Sequence, residues 1–199
     1  MNDFPWLSAI TFVPLFGVAF LLITPFEKES NSPRWVALWT TIITFVLSLL
    51  LWVNFDTKTA GFQFVEEYVW MPSFDIAYRL GVDGISMFFV LLSTLLTMIC
   101  VIASWVSITE RVREYMIAFL VLETLMVGMF SALDLVLFYV FFEGVLIPMF
   151  LIIGVWGGPN KVYAAFKFFL FTLAGSVLML LAILAIYSFA GSTDIPALM

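Results

Sequence analysis

The stretch Leu135-Val-Leu-Phe-Tyr139-Val-Phe-Phe-Glu143-Gly144-Val-Leu-Ile-Pro148-Met-Phe-Leu-Ile-Ile-Gly-Val155 carries a single charged residue, placed near its centre. A run of about 20 apolar residues is the length that crosses a ~30 Å hydrocarbon core as a helix. Five further runs of this kind can be read on either side of it. The six cover 5–26 (interrupted by Pro14), 35–53, 85–108, 115–132, 135–155 and 162–190. Periodicity says little, because the runs are apolar on every side, so length and flanking residues decide. The chain is 64% hydrophobic and only 11% charged, whereas soluble domains carry about 25% charged residues. The reading is an all-α integral membrane domain over 1–199 with six transmembrane helices.

Composition also excludes whole classes of function. The net charge of −6 is spread over the loops, and no basic patch is available for phosphates, so no nucleic-acid partner is expected. There is no His and one cysteine, Cys100, which lies inside an apolar run and reads as a small packing residue. Iron–sulfur clusters need several thiolates and haems need an axial ligand, so neither is expected in this chain, nor is a metal. Gly154, Gly157 and Gly158 end a helix instead of opening one after a strand, which is not a dinucleotide fingerprint. The first residues have no positive segment, so the first apolar run is read as a retained anchor.

The loops give an orientation. Lys28 and Arg34 follow the first span, Arg111 and Arg113 the third, and Lys161 and Lys167 the fifth, while only Lys58 and Arg79 lie on the other side. By the positive-inside rule the basic loops face the cytoplasm, and the N-terminus faces outward. The long outward loop, 54–83, holds two alternating runs: one begins at Phe62 and Phe64, the other has Phe74, Ile76, Tyr78 and Leu80. Separated by Met71-Pro72-Ser73, they predict a β-hairpin on the outer surface. Asp83, just ahead of the third helix, reads as a cap for its free N–H groups.

The carboxylates inside the membrane carry the functional reading. Glu123 lies eight residues before Ser131, and Glu143 nine residues after Asp134. At about 1.5 Å per residue both lie roughly 12–14 Å from the turn joining helices four and five, near mid-membrane. An acidic side chain there costs about 2.5–3.5 kcal/mol on insertion scales. Apolar surroundings and a like charge nearby both favour the protonated form, the condition for a proton relay. Pro148 lacks an N–H and crowds the Gly144 carbonyl, predicting a helix break that frees this carbonyl beside Glu143. Gly144 also allows close helix approach, and Tyr139, one turn back, can offer its hydroxyl to the carboxylate. Glu143 is therefore read as a proton-transfer residue. Glu123 reads equally as a relay or as a structural hydrogen bond. Lys167 reads as a cation snorkelling to the cytoplasmic surface, or as a modulator of a carboxylate's protonation.

Gly128-Met-Phe-Ser-Ala-Leu-Asp134-Leu-Val-Leu-Phe-Tyr139-Val-Phe-Phe-Glu143-Gly-Val-Leu-Ile-Pro148-Met closely resembles subunit M of the proton-pumping NADH:quinone oxidoreductase, respiratory complex I, whose mitochondrial counterpart is subunit 4. Leu80-Gly-Val-Asp-Gly-Ile-Ser86 and Phe168-Phe-Leu-Phe-Thr172 look like the same family. The resemblance implies an antiporter-like, proton-translocating subunit of the distal membrane arm, with Glu143 as the essential acidic residue of helix five. It implies no cofactor in this chain. NADH, FMN, iron–sulfur clusters and quinone would belong to other subunits of the complex. The partners implied are neighbouring antiporter-like subunits and lipid, in a bacterial plasma membrane or else a mitochondrial inner membrane. Family members have more helices than six, in two inverted repeats, and pair this Glu with a Lys on the seventh, which has no match within Met1–Met199. Thr193-Asp-Ile-Pro-Ala-Leu-Met199 reads like a loop leading to another helix. Two rival readings are a subunit of a multi-subunit cation/proton antiporter or membrane-bound hydrogenase, and a non-pumping scaffold.

Overall fold

The computed structural model describes residues 4–25, 31–72 and 76–199. Phe26, Lys28, Ser73 and Phe74, used above, lie outside the described residues. Six long helices are present: α1 (Trp6–Ile23), α2 (Ser32–Val53), α3 (Ser86–Ser107), α4 (Val112–Ser131), α5 (Leu135–Trp156) and α6 (Lys161–Ala190). All six are long and apolar enough to cross a membrane. A hairpin of β1 (Gln63–Met71) and β2 (Ile76–Val82) separates α2 from α3, and a single turn, α7 (Ile195–Leu198), follows α6. The expected architecture of six spans and one small hairpin is therefore present. α4 begins at Val112, earlier than the apolar run suggests. Arg113 and Glu114 occupy its first turn, and charged residues are good helix formers once outside hydrocarbon.

α4 is the central element, packed against α1, α2, α3 and α5, while α6 rests on α5. Close approach of α4 and α5 depends on glycine. A Cβ at Gly144 would stand 2.7 Å from Leu125 Cδ2, and one at Gly128 would collide with the Phe141 ring. The outer faces of α5 and α6 stay open, with Ile147, Leu170, Phe171 and Phe189 exposed. Cys100 is also exposed, on the outer side of α3. The expectation that it packs internally is corrected, because the buried face of α3 runs through Ser93, Thr97, Val101 and Ser104 instead.

Arg34, Arg113 and Lys161 gather at one end of the bundle, where they tie helix ends together. Arg34 Nη2 donates to the Ile108 carbonyl at 2.7 Å, and Arg113 Nη2 to that of Leu22 at 2.7 Å. Lys161 Nζ donates to Val155 at 2.6 Å, and Trp156 Nε1 to the Glu110 carbonyl at 2.8 Å. The Leu22, Ile108 and Val155 carbonyls so bonded stand at helix ends, where the helix cannot satisfy them internally, and that of Glu110 lies in the α3–α4 linker. Arg34, Arg113 and Lys161 thus lie at the same end of the bundle.

At the opposite end the hairpin does the tying. α1 has no capping side chain of its own. Glu66 of β1 supplies one from a distance, accepting the Leu7 N–H at 2.7 Å, the Ser8 N–H at 3.1 Å and the Ser8 hydroxyl. A carboxylate over free N–H groups at a helix start is favourable both as a cap and toward the helix dipole. Tyr78 of β2 shares the Ser8 hydroxyl at 2.9 Å. Burial pushes its phenol up, the Ser8 hydrogen bond opposes this, and the charges of Glu66 and Tyr68 add to it, leaving it at about 12. A free tyrosine titrates near 10. Stability from this contact is thus fully present below pH ~10 and is lost as pH rises through about 12. Spectrophotometric titration should show the last phenolate step disappearing in Tyr78→Phe, with a flatter loss of stability above pH ~10. A Tyr78 step found near its free value would refute this.

Asp83 Oδ1 accepts from Ser86 N at 2.7 Å and Ile85 N at 3.2 Å, while Ser86 Oγ accepts the Asp83 N–H at 2.9 Å. This reciprocal pair opens α3 in the manner of a cap. Burial pushes the Asp83 carboxyl up, but the bonds from Ser86 and Ile85 outweigh it and hold the group below its ordinary value.

Candidate functional site

The two mid-membrane carboxylates share a depth but not a neighbourhood. On α5, Gly144 and Phe141 meet α4, and Phe150 meets Phe166 and Phe169 of α6 at 5.4 and 5.6 Å. Glu143 lies seven residues before Phe150, two turns away on the face toward α6. Tyr139, on the same face, interacts with both the Glu143 carboxylate and the Ser176 hydroxyl of α6. The antiparallel register set by Tyr139 with Ser176 and Phe150 with Phe166 brings Glu143 level with Thr172. Glu143 is half-buried. Its Oε1 is shielded and, among the described residues, without a hydrogen-bond partner.

The helix break expected at Gly144 and Pro148 is corrected. α5 is continuous from Leu135 to Trp156 with Pro148 inside it. A proline removes one N–H, and packing by α4 and α6 holds the helix through that defect. What the Gly144–Pro148 pair supplies is a carbonyl without its intrahelical donor, one residue from Glu143. α1 carries the same feature at Pro14, leaving the Ile10 carbonyl without its donor.

Glu123 belongs to the other side of α4. It is fully buried, and among the described residues neither oxygen has a hydrogen-bond partner. The α4–α5 contact runs through Leu125 and Gly128 of α4 and Phe141 and Gly144 of α5, so each carboxylate lies on the side of its helix away from it. Lys167 is exposed, its Nζ 5.8 Å from the Tyr163 ring centre. It lies five residues nearer the basic end than Thr172, about 7.5 Å along the axis, so it is not brought to Glu143. Thr172 and Ser176 on α6 were not singled out from sequence. Two hydroxyls four residues apart in an apolar helix are the signal that could have found them.

A second polar cluster joins the α4–α5 turn to the hairpin and the C-terminal segment. Asp134 is fully buried and caps α5, accepting from Val136 N at 2.9 Å and Leu137 N at 3.0 Å. Its other oxygen accepts from the Thr193 hydroxyl at 2.6 Å. Leu133 N donates to Arg79 O, Ile195 N to Leu133 O and Leu135 N to Thr193 O, at 2.8, 2.9 and 2.9 Å. The turn is thus held like a short extra strand between β2 and the residues after α6. Arg79 closes the cluster with ion pairs to Glu67 at 2.6 Å and Asp194 at 2.9 Å. The Glu67 hydrogen bond, foremost among these contacts, raises its hold on the proton. Among the described residues no group of His, Cys, Asp or Glu is placed to hold a metal ion.

Six packed spanning helices, with one half-buried Glu in a proline-containing helix, define an integral membrane helix bundle, and comparison with known proteins gives its relatives. Residues 132–199 match the family described as NADH:quinone oxidoreductase/Mrp antiporter, TM. It is 54% identical over 97% of its length to NADH-quinone oxidoreductase subunit M of Rhodobacter capsulatus, and 52% identical over 93% to NADH-ubiquinone oxidoreductase chain 4 of Chondrus crispus. It spans 38% of the length of each. A chain of respiratory complex I from Thermus thermophilus superposes with a TM-score of 0.81 at 30% identity, covering 96% of this chain and 38% of that one. A chain of the Mrp complex from a Dietzia species shares the fold, with a TM-score of 0.79 at 19% identity over 94% of this chain and 20% of that one.

Proposed function

We propose that this chain is part of a proton-translocating membrane-arm subunit of NADH:quinone oxidoreductase, and that Glu143 takes up and releases the proton. The observation that carries the reading is a half-buried carboxylate at mid-membrane, with a shielded oxygen left without a partner among the described residues. Tyr139 lies beside it, as does a carbonyl that Pro148 leaves without its donor. Such a group changes charge when a nearby cation approaches or withdraws. Redox chemistry in other subunits drives that movement, and Lys167, exposed near the basic end of α6, is not that cation. Glu143 accepts the proton, Tyr139 orients it, and Gly144 and Pro148 provide a hydrogen-bonding carbonyl for the water that carries it.

The chain holds no redox centre, and NADH, FMN, iron–sulfur clusters and quinone act in partner subunits. Its partners are neighbouring antiporter-like membrane-arm subunits and lipid. The basic end faces the cytoplasm of a bacterial plasma membrane, with the N-terminus outside. Identities of 54% and 52% to subunit M and chain 4 support this reading over an antiporter or hydrogenase subunit. Proton uptake by inverted membrane vesicles during NADH oxidation tests it: translocation at the wild-type rate in Glu143→Gln overturns it.

A further inference from the structure

The mechanism above leaves Glu123 unused, and its surroundings are specific. Two contacts show which face of α4 meets α3: Tyr115 interacts with the Ser104 hydroxyl, and Phe130 stacks on Phe89 at 5.0 Å. Glu123 lies between Tyr115 and Phe130 on that face, eight residues from one and seven from the other. The same antiparallel register brings it level with the turn of α3 from Ser93 to Thr97, both of which are buried. Their hydroxyls donate within α3, Ser93 to Phe89 O at 2.7 Å and Thr97 to Ser93 O at 2.9 Å. That leaves their oxygens as acceptors. The polar seam continues to α2 through Thr94 and Ser48, hydrogen-bonded at 2.8 Å. Beside Glu123 on α4, the Thr124 hydroxyl is buried, and so is that of Thr11 on α1. Like both Glu123 oxygens, each lacks a partner among the described residues. The Gly17–Leu120 approach puts Pro14 of α1 at the same level.

Among the described residues no cation faces this carboxyl. α1 carries no titratable residue, and α2 carries only Arg34, at the basic end and bonded to Ile108. α3 carries only Cys100, which is exposed. α5 carries Tyr139 and Glu143, which face α6. On α4 itself, Arg113 is bonded to Leu22 and Glu114 stands in the first turn. An ionised carboxylate in such a place is uncompensated, whereas a neutral carboxyl is both donor and acceptor. Buried polar atoms left without protein partners are ordinarily satisfied by internal water.

We propose that Glu123, with the hydroxyls of Ser93, Thr97, Thr124 and Thr11, forms a hydrated proton-holding site inside the α1–α4 bundle, separate from Glu143. The carboxyl proton is shared through water with the α3 hydroxyls, and no ion-pair partner takes part.

Infrared difference spectroscopy of the assembled complex in its native membrane tests this at neutral pH. The expected result is a protonated-carboxyl C=O band that persists in Glu143→Gln, is lost in Glu123→Gln, and shifts on transfer to D2O as the proton exchanges through water. Because Glu123→Gln can disturb packing, Glu123→Asp serves as a second variant. Its band should remain but fail to move with 13C-labelled glutamate, unlike that of wild type. Absence of a band assignable to residue 123 overturns the proposal, and so does a band that does not shift in D2O. Neither outcome depends on whether Glu143 pumps.

Discussion

Replacing Glu143 with Gln should lower redox-driven proton translocation on the order of 10²-fold, the usual effect of removing a positioned proton-transfer group. Gln preserves the shape and the partial burial, but it cannot change charge. Packing should survive, because the contacts that hold α5 to α4 are Gly144 with Leu125 and Gly128 with Phe141, and neither involves the carboxylate. The complex should therefore assemble while NADH oxidation by tightly coupled vesicles falls together with pumping. Glu143→Asp, with its carboxylate drawn back by one methylene, should retain part of the activity. A scaffold predicts the reverse: normal pumping per assembled complex, and reduced assembly. Measuring both quantities in the same membranes separates the two.

The second large effect is on stability. Asp134→Ala removes the cap of α5, worth about 1–2 kcal/mol, and the acceptor of the Thr193 hydroxyl, worth about 1 kcal/mol more. The expected loss is about 2–3 kcal/mol. It should appear as a lower midpoint of thermal unfolding and as protease cleavage within residues 191–199, the segment held by Thr193 and Ile195. Asp134→Asn keeps a capping oxygen and should lose much less. If Ala and Asn variants unfold at the wild-type temperature, the turn is held by its backbone bonds to Arg79 and Thr193 alone.

Much of this was legible in the residues. Six spans follow from length and the absence of charge, because hydrocarbon leaves the backbone no alternative to internal hydrogen bonding. The hairpin follows from alternation around Met71 and Pro72. The equal depth of Glu123 and Glu143 follows from counting, since a helix has a fixed rise. Their separation did not follow. Rotation about a helix axis is set by packing, and in spans apolar on every side no hydrophobic stripe reveals it. For the same reason the exposure of Cys100 and the meeting of Tyr139 with Ser176 of α6 emerge only once the helices are packed.

Glu143 thus began as a charge in the middle of Leu135–Val155, and its depth and cost belong to the sequence by itself. So do the membrane-spanning class, the hairpin and the basic end of the bundle, all matters of length, composition and order along the chain. The tertiary structure decided which side each carboxylate faces, that α5 runs unbroken through Pro148, and that Glu66 caps α1 from the hairpin. It also joined Arg79, Asp134 and Thr193 into one cluster. These depend on helix rotation and on contacts between residues far apart in the chain, which local pattern does not encode.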